Sequence, residues 1–564
     1  MTRFLQEFDV IVIGGGINGL TVGAYLAKAG LKTIVLERRH IVGTHCSTEE
    51  LSLPGARYNL HASALITPMG PCIDDLELEK YGLELIGSDW ALLQPFLDGR
   101  AFLCHSYDAN ITYKMIERFS KRDARSFKKF INGVNKYVDP IIGHLYTPPS
   151  ETAEAEFNTL MSRIPEIPSN FSEMTGYDLV EHLFESDQVR AAFAGFGLAI
   201  TPNPRETYSG AIGVFAGITA SSGVQSPFTA RGGSFNVPFS LANCLLAHGG
   251  MILENCEVEK ILIKDGEAYG VLLSENSSYP HKIVKARRAV VSNLTAVPTF
   301  MQLVGKEHLD TPTLNALKSF DYGGQTLFTM VYTLNDIIRW DSRKWDPNVL
   351  GAYWFHYGAE SLNQVREHEE MRQNGKVADP IVAVGGSYLF TIRDRMQAPK
   401  GMHTVTSWIN VPFRLNDGGA GGWADYKESL GEKVTSRIEQ YASGFRKSVI
   451  AAVPYSPLEI FQRNPSAIEA NFAGGNPKVG QFYLDRPFRG CGAPRTPIKK
   501  LYISNSIWPF SGTHLTTGYI AACVVAEDLG VRNQHWWSHK PLTWFRKWVK
   551  KQSGREWSPF VTTQ

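Results

Sequence analysis

The sequence has few cysteines and no pattern that would pair them. Its seven cysteines, among 564 residues, lie at positions 46, 72, 104, 244, 256, 491 and 523, and none has C-x-x-C spacing. That spacing is the usual mark of a zinc site or a redox-active disulfide. A sparse, odd number of cysteines is typical of a reducing compartment. The sequence therefore predicts neither a metal site nor a disulfide framework.

Long hydrophobic runs and an excess of either charge are also missing. No apolar stretch reaches the length that spans a bilayer, and 57 basic residues nearly balance 55 acidic ones. A chain with a net charge of +2 has no general attraction to nucleic acid or membranes. The first predicted strand starts around Phe8, which leaves no room for a signal peptide. We expect a cytoplasmic protein, with membrane association as an alternative raised by its C-terminus.

The most informative segment is residues 9–37, which read as strand, glycine turn, helix and second strand. Three glycines have G-x-G-x-x-G spacing. Gly14 allows a tight turn, Gly16 lets the backbone approach a pyrophosphate, and Gly19 lets the helix pack close to the strand. The second strand ends at Glu37, whose carboxylate can accept hydrogen bonds from an adenosine ribose. This order predicts a dinucleotide-binding domain but does not choose between NAD and FAD.

The residues after Glu37 narrow that choice. They read VLERRHIVG…STEE, which resembles the second glycine motif of FAD-dependent phytoene desaturases and amine oxidases. Within this superfamily the stretch is similar to the branch that contains bacterial phytoene desaturases and the animal pyridine nucleotide-disulfide oxidoreductase domain-containing protein 2. Residues 231–273 and 495–529 resemble the adenine-holding unit and the terminal flavin motif of this superfamily. The chain departs from the family at Thr44, where a second glycine is common, and around residues 509–513, where only Gly512 remains of several glycines.

The resemblance implies an α/β fold with two domains: a Rossmann-like FAD domain and a substrate domain of mixed sheet and helices. FAD is the implied cofactor. The implied boundaries are 1–70, 225–300 and 480–532 for the FAD domain, 71–224 and 301–479 for the substrate domain, and 533–564 for a C-terminal tail.

The motifs also assign residues that would hold FAD. His45 or Cys46 could be a covalent attachment point for the flavin or an ordinary polar contact to it. The residue at position 258 would hold adenine through its backbone. The complete predicted set is Gly14, Gly16, Asn18, Gly19, Glu37, Arg38, Gly43, Thr44, His45, Cys46, Val258, Asn505, Ser506, Gly512, Thr517 and Gly518.

The candidate catalytic residues rest on their position beside these motifs. A flavin dehydrogenase needs only to position its substrate and accept one proton. His514 stands where relatives have glycine, and His61 and Tyr519 lie on segments that run past the flavin in relatives. Each also has a structural interpretation: a hydrogen-bonding or steric role for His514, a buried structural histidine for His61, and a cap on the flavin edge for Tyr519.

The function implied by the resemblance is dehydrogenation of a hydrophobic, alicyclic or polyene small molecule. Hydride would pass to FAD, and quinone or oxygen would reoxidise the flavin. Oxidation of an amine or alcohol and redox-neutral isomerisation are alternatives on the same fold. A non-catalytic flavoprotein scaffold is a further alternative, because a fold alone does not define a function.

The C-terminal tail is rich in tryptophan and basic residues. Five of the 12 tryptophans fall in residues 534–557, where six basic residues accompany one acid. From residue 542 to 549 the apolar and basic residues alternate at near-helical spacing. This pattern fits a helix at a membrane surface, and equally a tail that packs on its own domain or on a second subunit. Nucleic acid is not an expected partner, because no recognition fold accompanies the cluster.

Two longer regions complete the prediction. Residues 75–220 are predicted to be mainly helical, with one helix over 120–145 that starts from a serine cap. Residues 320–415 contain alternating aromatic and apolar runs, which predict sheet.

Overall fold

The computed structural model describes a mixed α/β protein built on two large sheets. All seven cysteines are buried and free. Within the part of the chain that the structure describes, no helix is both long and apolar enough to cross a membrane. The described residues are 4–200, 203–220, 227–323, 326–471, 473–489, 491, 494–505, 515–558 and 560.

The first sheet is the predicted dinucleotide-binding unit. Its strands are β1 (Phe4–Ile13), β2 (Thr33–Leu36), β9 (Met251–Leu253), β10 (Val258–Lys264), β11 (Glu267–Leu273), β12 (Ile283–Ser292) and β18 (Leu501–Ile503). The centre of the sheet is parallel: strand β1 lies between β2 and β12, β9 extends the far side of β2, and β18 pairs with β12. An antiparallel pair, β10 and β11, completes the other edge.

The second sheet is mostly antiparallel. The strands outside the first sheet are β3 (Thr48–Glu50), β4 (Arg57–Asn59), β5 (Leu85–Gly87), β6 (Trp90–Pro95), β7 (Ala101–His105), β8 (Phe228–Ala230), β13 (Leu327–Leu334), β14 (Trp354–Tyr357), β15 (Ala383–Leu389), β16 (His403–Asn410) and β17 (Val449–Tyr455). Seven of them form the second sheet in the order β17-β13-β16-β15-β14-β6-β7. Its central strands are buried along their whole length. Two short pairs, β3 with β4 and β5 with β8, lie outside both sheets.

Helices cover both sheets. They are α1 (Ile17–Lys28), α2 (Cys72–Asp75), α3 (Ala109–Glu117), α4 (Lys121–Asn135), α5 (Val138–Leu145), α6 (Glu151–Ser162), α7 (Gly176–Leu183), α8 (Asp187–Ile200), α9 (Ser209–Ala220), α10 (Asn236–Ala247), α11 (Thr311–Lys318), α12 (Leu362–Gln373), α13 (Trp423–Glu439), α14 (Phe445–Ser448), α15 (Pro457–Arg463), α16 (Thr516–Asp528) and α17 (Thr543–Ser553). Helix α1 packs against α10 and α16 on the first sheet, and α8 packs against strand β15 of the second.

One local prediction needs correction, and two regions contain further elements. The single helix predicted over 120–145 is two helices, because Pro140 cannot lie deep inside a helix without clashing with the carbonyl four residues earlier. The region 75–220 also contributes strands β6 and β7, a hairpin that joins the second sheet. Within 320–415, the alternating runs form strands β13 and β16 as predicted, and residues 362–373 between them form helix α12. The serine cap is correct, since the Ser120 side chain accepts a hydrogen bond from the backbone N–H of Asp123.

The C-terminal tail packs against the dinucleotide-binding layer. Trp544, Phe545 and Val549 are buried in the core that also contains helix α1. The carboxylate of Asp75 accepts hydrogen bonds from the Tyr25 hydroxyl at 2.8 Å and from the His539 backbone at 3.2 Å. The apolar face of α17 is thus used inside the protein. Contact of its outer, basic face with a membrane or a second copy stays a prediction, as do the domain boundaries.

Candidate active site

One cavity of about 620 Å³ joins the first sheet to the second. Its volume lies in the range of cofactor and small-molecule sites. One end is formed by the glycine turn after β1, the end of β2 and the start of β10. The other end is formed by aromatic residues of the second sheet, and a segment after α15 lies along its side.

The glycine turn has the close packing that its spacing predicted. Gly14 has φ +94°, in the left-handed region that favours glycine. A Cβ atom at Gly19 would lie 2.2 Å from the carbonyl oxygen of Gly14, so only glycine fits there. Helix α1 begins directly after Gly16, and the backbone N–H groups at a helix N-terminus favour a negatively charged group.

Glu37 lies at the end of β2 and lines the cavity. Its side chain is only 5% exposed, and its two oxygens accept hydrogen bonds from the backbone N–H groups of Gly15 at 2.7 Å and Arg39 at 2.8 Å. Burial raises the pKa of this carboxyl, and the two hydrogen bonds oppose that shift. Val258, the predicted adenine contact, lines the same end of the cavity.

The second glycine motif is bonded to the first. The backbone N–H of Gly43 donates to the Gly15 carbonyl at 2.8 Å. Gly43 has φ +99°, and a Cβ atom there would lie 2.8 Å from both the Cys46 carbonyl and the Pro238 ring. Thr44 also has a positive φ of +47°, and it lines the cavity together with His45 and Cys46. The departure from two glycines therefore places a side chain beside the cavity without closing it.

His45 and His61 form a pair in the cavity wall, with ring centres 5.2 Å apart. Burial, together with the positive charges of Arg463 and Arg39, lowers the pKa of His45 to about 4. The pKa of His61 is also well below its usual range, chiefly because of burial. Both imidazoles are therefore neutral at pH 7. The Nε2 atom of His61 is buried and has no hydrogen-bond partner among the described residues.

Cys46 is 2% exposed, and its thiol donates to the Ser234 carbonyl at 3.2 Å. Burial raises the pKa of this thiol to about 12. A thiol that stays protonated at neutral pH is a poor nucleophile. Its position in the cavity wall is consistent with a packing role.

The terminal flavin motif is hydrogen-bonded to the segment of the first glycine motif. The Asn18 side-chain oxygen accepts a hydrogen bond from the Gly518 backbone at 3.1 Å, and a Cβ atom at Gly518 would lie 2.6 Å from the Asn18 carbonyl. Asn505 lines the cavity, and its amide donates to the Asn293 carbonyl at 3.1 Å. Thr517 is fully buried. The predicted site residues His514, Ser506 and Gly512 lie outside the described residues.

Tyr519 lies elsewhere than predicted. Tyr519 lies on helix α16 and packs between Tyr25, at 5.5 Å between ring centres, and Tyr146, at 5.9 Å. It belongs to the core between helices and is not among the described residues that line the cavity. This position does not support a catalytic role.

An aromatic wall, formed by Trp354, Tyr388 and Trp408, was not predicted as part of the site. The three residues lie on the neighbouring strands β14, β15 and β16, and all line the cavity. Ring centres are 5.4 Å apart for Trp354 and Tyr388, and 5.1 Å apart for Tyr388 and Trp408. The indole N–H of Trp408 donates to the Leu60 carbonyl at 2.9 Å, which orients the ring. The sequence shows these residues as alternating strand positions, but only strand pairing brings them together.

Sequence reasoning also missed Asn293 and Arg463, which both line the cavity. Asn293 directly follows strand β12, and ligands in open α/β sheets bind outside the carboxyl ends of the strands. That position was a usable signal for Asn293. Arg463 ends helix α15, nearly 420 residues after the glycine motif that it approaches, and no local pattern marked it.

The residues of the first layer fit a dinucleotide cofactor. A Cβ atom at Gly16 or Gly19 would lie 2.9 Å or 2.2 Å from its nearest neighbour, and the N-terminus of α1 can accept a diphosphate. The Nη1 atom of Arg39 is buried in the cavity wall without a partner among the described residues, so it is available to an anion.

Comparisons with known proteins agree with this geometry. Residues 12–76 match the NAD(P)-binding Rossmann-like domain family. The chain is 28% identical to a subunit of the limonene dehydrogenase of Castellaniella defragrans, over 95% of this chain and 97% of that protein. It is 27% identical to mouse pyridine nucleotide-disulfide oxidoreductase domain-containing protein 2, with 93% and 94% covered. Identity to the lycopene-forming phytoene desaturase of Pseudescherichia vulneris is 24%, with 80% and 85% covered.

Solved structures show the same fold. An oxidoreductase from Methanosarcina mazei has a TM-score of 0.58 at 17% identity, with 93% of this chain and 100% of that chain covered. Cyclohexylamine oxidase from Brevibacterium oxydans has a TM-score of 0.55 at 15% identity, with 93% and 99% covered. Fold and site thus define a two-layer oxidoreductase with a Rossmann-like domain. The chain resembles the phytoene desaturases and related oxidoreductases over most of its length.

Proposed function

We propose that the protein is an FAD-dependent dehydrogenase that introduces a C=C bond into an apolar alicyclic or polyene molecule. One observation carries the proposal: a single cavity connects the dinucleotide motif to the aromatic wall of Trp354, Tyr388 and Trp408. Such a wall favours an apolar substrate, because burying apolar surface is the main source of its binding energy. The 28% identity to part of a limonene dehydrogenase over nearly the whole chain supports the same substrate class.

The charges around the cavity also favour an uncharged substrate. The acidic residues of the described lining, Glu37 and Glu257, lie at the Val258 end, since the Cys256 backbone N–H donates to the Glu37 carbonyl at 2.8 Å. A protonated amine at the aromatic end would lose its hydration without a carboxylate to pair with it, which is costly. A hydrocarbon has no such cost.

The reaction needs little from the protein besides position and one proton acceptor. The substrate would lose a hydride from one carbon and a proton from the neighbouring carbon. Bound FAD would supply the two-electron oxidant, with quinone or oxygen as the final acceptor. His61 is the candidate proton acceptor because it is neutral at pH 7 and its Nε2 atom is buried without a described partner.

The first experiment asks whether FAD is present and how it is held. The purified protein is precipitated with acid, and the supernatant is examined for flavin absorbance. Released FAD supports the cofactor assignment and argues against a covalent bond through His45 or Cys46. Flavin that stays in the pellet would favour covalent attachment. A protein that remains colourless after incubation with FAD would refute the proposed function.

The second experiment tests the substrate class with two compounds built on six-membered rings. Limonene and cyclohexylamine are each added to the flavoprotein without oxygen, and flavin bleaching is followed. We expect limonene to bleach the flavin and cyclohexylamine to leave it oxidised. The reverse result would favour amine oxidation. Conversion of a cis polyene to its trans isomer without net bleaching would favour the isomerase alternative.

The role of His61 is tested by His61→Gln. Loss of a proton acceptor typically lowers a rate about 10²- to 10⁴-fold, and we expect kcat to fall in this range while the FAD content stays unchanged. His40→Gln is the matched control, because His40 is also a histidine of the second glycine motif region but is exposed. Equal rates in the two variants would show that His61 has only a packing role.

A further inference from the structure

Residues 463–468 start at the last residue of helix α15 and line the cavity beside the dinucleotide-binding sheet. We call this segment the strap. The Arg463 carbonyl accepts a hydrogen bond from the Arg38 guanidinium at 3.1 Å. At the other end, the Ser466 hydroxyl accepts a hydrogen bond from the Thr295 backbone N–H at 3.0 Å. The strap is therefore fixed to two separate parts of the dinucleotide-binding layer.

The strap places a guanidinium group beside the second glycine motif. The Arg463 side chain is only 9% exposed and forms an ion pair with Glu49. Its Nε and Nη2 atoms each lie 3.4 Å from the Thr44 carbonyl. Asn464, the next residue, places its amide nitrogen 3.3 Å from Nε2 of His45. Arg463 thus reaches the part of the wall where the sequence departs from the two glycines of its relatives.

A second guanidinium group, that of Arg39, lies in the same wall. Burial lowers its pKa, and the positive charge of Arg463 is the next largest cause. Its Nη1 atom is buried with no partner among the described residues. Two like charges near each other repel, and an unpartnered charged donor is costly to bury. Glu49 and Glu37 offset part of the repulsion, and an anion beside the Nη1 atom of Arg39 would supply the partner that this atom lacks.

We propose that Arg463 binds the diphosphate of FAD together with Arg39, so that the strap holds the cofactor from outside the dinucleotide-binding sheet. This inference rests on the proposed function, from which it takes FAD as the cofactor. A diphosphate suits the site because the N-terminus of α1 lines the same cavity. A guanidinium has five N–H donors, so Arg463 can keep its contacts with Thr44 and Glu49 and still donate to a phosphate oxygen, whereas lysine offers one compact charge.

The test measures FAD binding, independently of catalysis. The flavin is removed from the wild type and from Arg463→Gln, and the Kd for FAD is measured by quenching of flavin fluorescence. We expect Arg463→Gln to weaken FAD binding about 10- to 100-fold, which is typical of a lost hydrogen bond to a charged group. Arg463→Lys should fall between these two proteins. Arg414→Gln is the matched control, because Arg414 also pairs with a glutamate but is 67% exposed, and its Kd should not change.

A second measurement separates phosphate contact from a structural effect of the Glu49 ion pair. ADP and adenosine compete with FAD for the apoprotein, and only ADP carries the diphosphate. We expect Arg463→Gln to weaken ADP binding by a factor similar to that for FAD and to leave adenosine binding unchanged. Equal weakening of both competitors, or an unchanged Kd for FAD, would overturn the proposal. Failure of the wild type to bind FAD would instead refute the cofactor assignment, and this proposal with it.

Discussion

His356 is expected to make the protein less stable in mild acid. This residue lies on β14, two positions after Trp354 of the aromatic wall, and is fully buried. Neither of its ring nitrogens has a hydrogen-bond partner among the described residues. Burial lowers the pKa of this imidazole to about 3. The folded protein therefore holds the neutral form at pH values where an unfolded histidine, with a pKa of about 6.5, takes up a proton.

The sign and size of the effect follow from proton linkage. The unfolded state binds more protons than the folded state below pH 6.5, so the free energy of unfolding falls as the pH falls from 6.5 towards 3. For a folded pKa of about 3 and an unfolded pKa of about 6.5, the loss is roughly 2 kcal/mol at pH 5 and roughly 0.2 kcal/mol at pH 7. Replacing the imidazole by an apolar ring removes this term and the two unpartnered nitrogens.

The assay compares His356→Phe with the wild type in urea unfolding at pH 7 and at pH 5. Other buried histidines lower the stability of both proteins in acid, so the difference between the two proteins isolates His356. We expect the decrease from pH 7 to pH 5 to be smaller in the variant by roughly 2 kcal/mol. His308→Phe, at an exposed position, is the control and should keep the wild-type dependence. An equal decrease in the wild type and in His356→Phe would refute the reasoning.

Three further predictions concern the cofactor, the substrate and the tail. Gly19→Ala should yield a colourless protein, because its Cβ would lie 2.2 Å from the Gly14 carbonyl; normal flavin absorbance would contradict this. Trp408→Ala should raise the KM for an apolar substrate roughly tenfold or more through lost apolar contact, with the Kd for FAD unchanged. Asp75→Ala should expose the tail to limited proteolysis, because the His539 backbone and ring both lie within 3.2 Å of an Asp75 oxygen; unchanged cleavage would show that apolar packing alone holds the tail.

The local sequence predicted the dinucleotide-binding part of the fold well. The strand, turn, helix and acid of residues 9–37 occur where expected, because the G-x-G-x-x-G spacing is itself a description of one local backbone path. Val258 and Asn505, which the sequence assigns to cofactor binding, line the cavity, and their role stays a prediction. Each lies beside a strand of the first sheet, and such positions can be recognised from neighbouring residues.

The failures share a different cause. Tyr519 belongs to a motif that approaches the flavin in relatives, yet its side chain packs against Tyr25 and Tyr146. Helix α16 lies against helix α1, and tertiary packing sets which of its faces meets α1. The sequence pattern could not determine that face. It likewise left open whether the tail packs on its own domain, where α17 buries Trp544 and Phe545.

The sequence by itself determined the class of this protein, because glycine spacing, strand composition and a terminal carboxylate are local features that specify a dinucleotide cradle. Only the tertiary structure decided the rest of the site. Strand pairing in the second sheet places Trp354, Tyr388 and Trp408 side by side. The chain after that sheet places Arg463 next to the second glycine motif. These cavity-lining groups come from segments far apart in the chain, so their meeting depends on how the two sheets pack and leaves no local pattern.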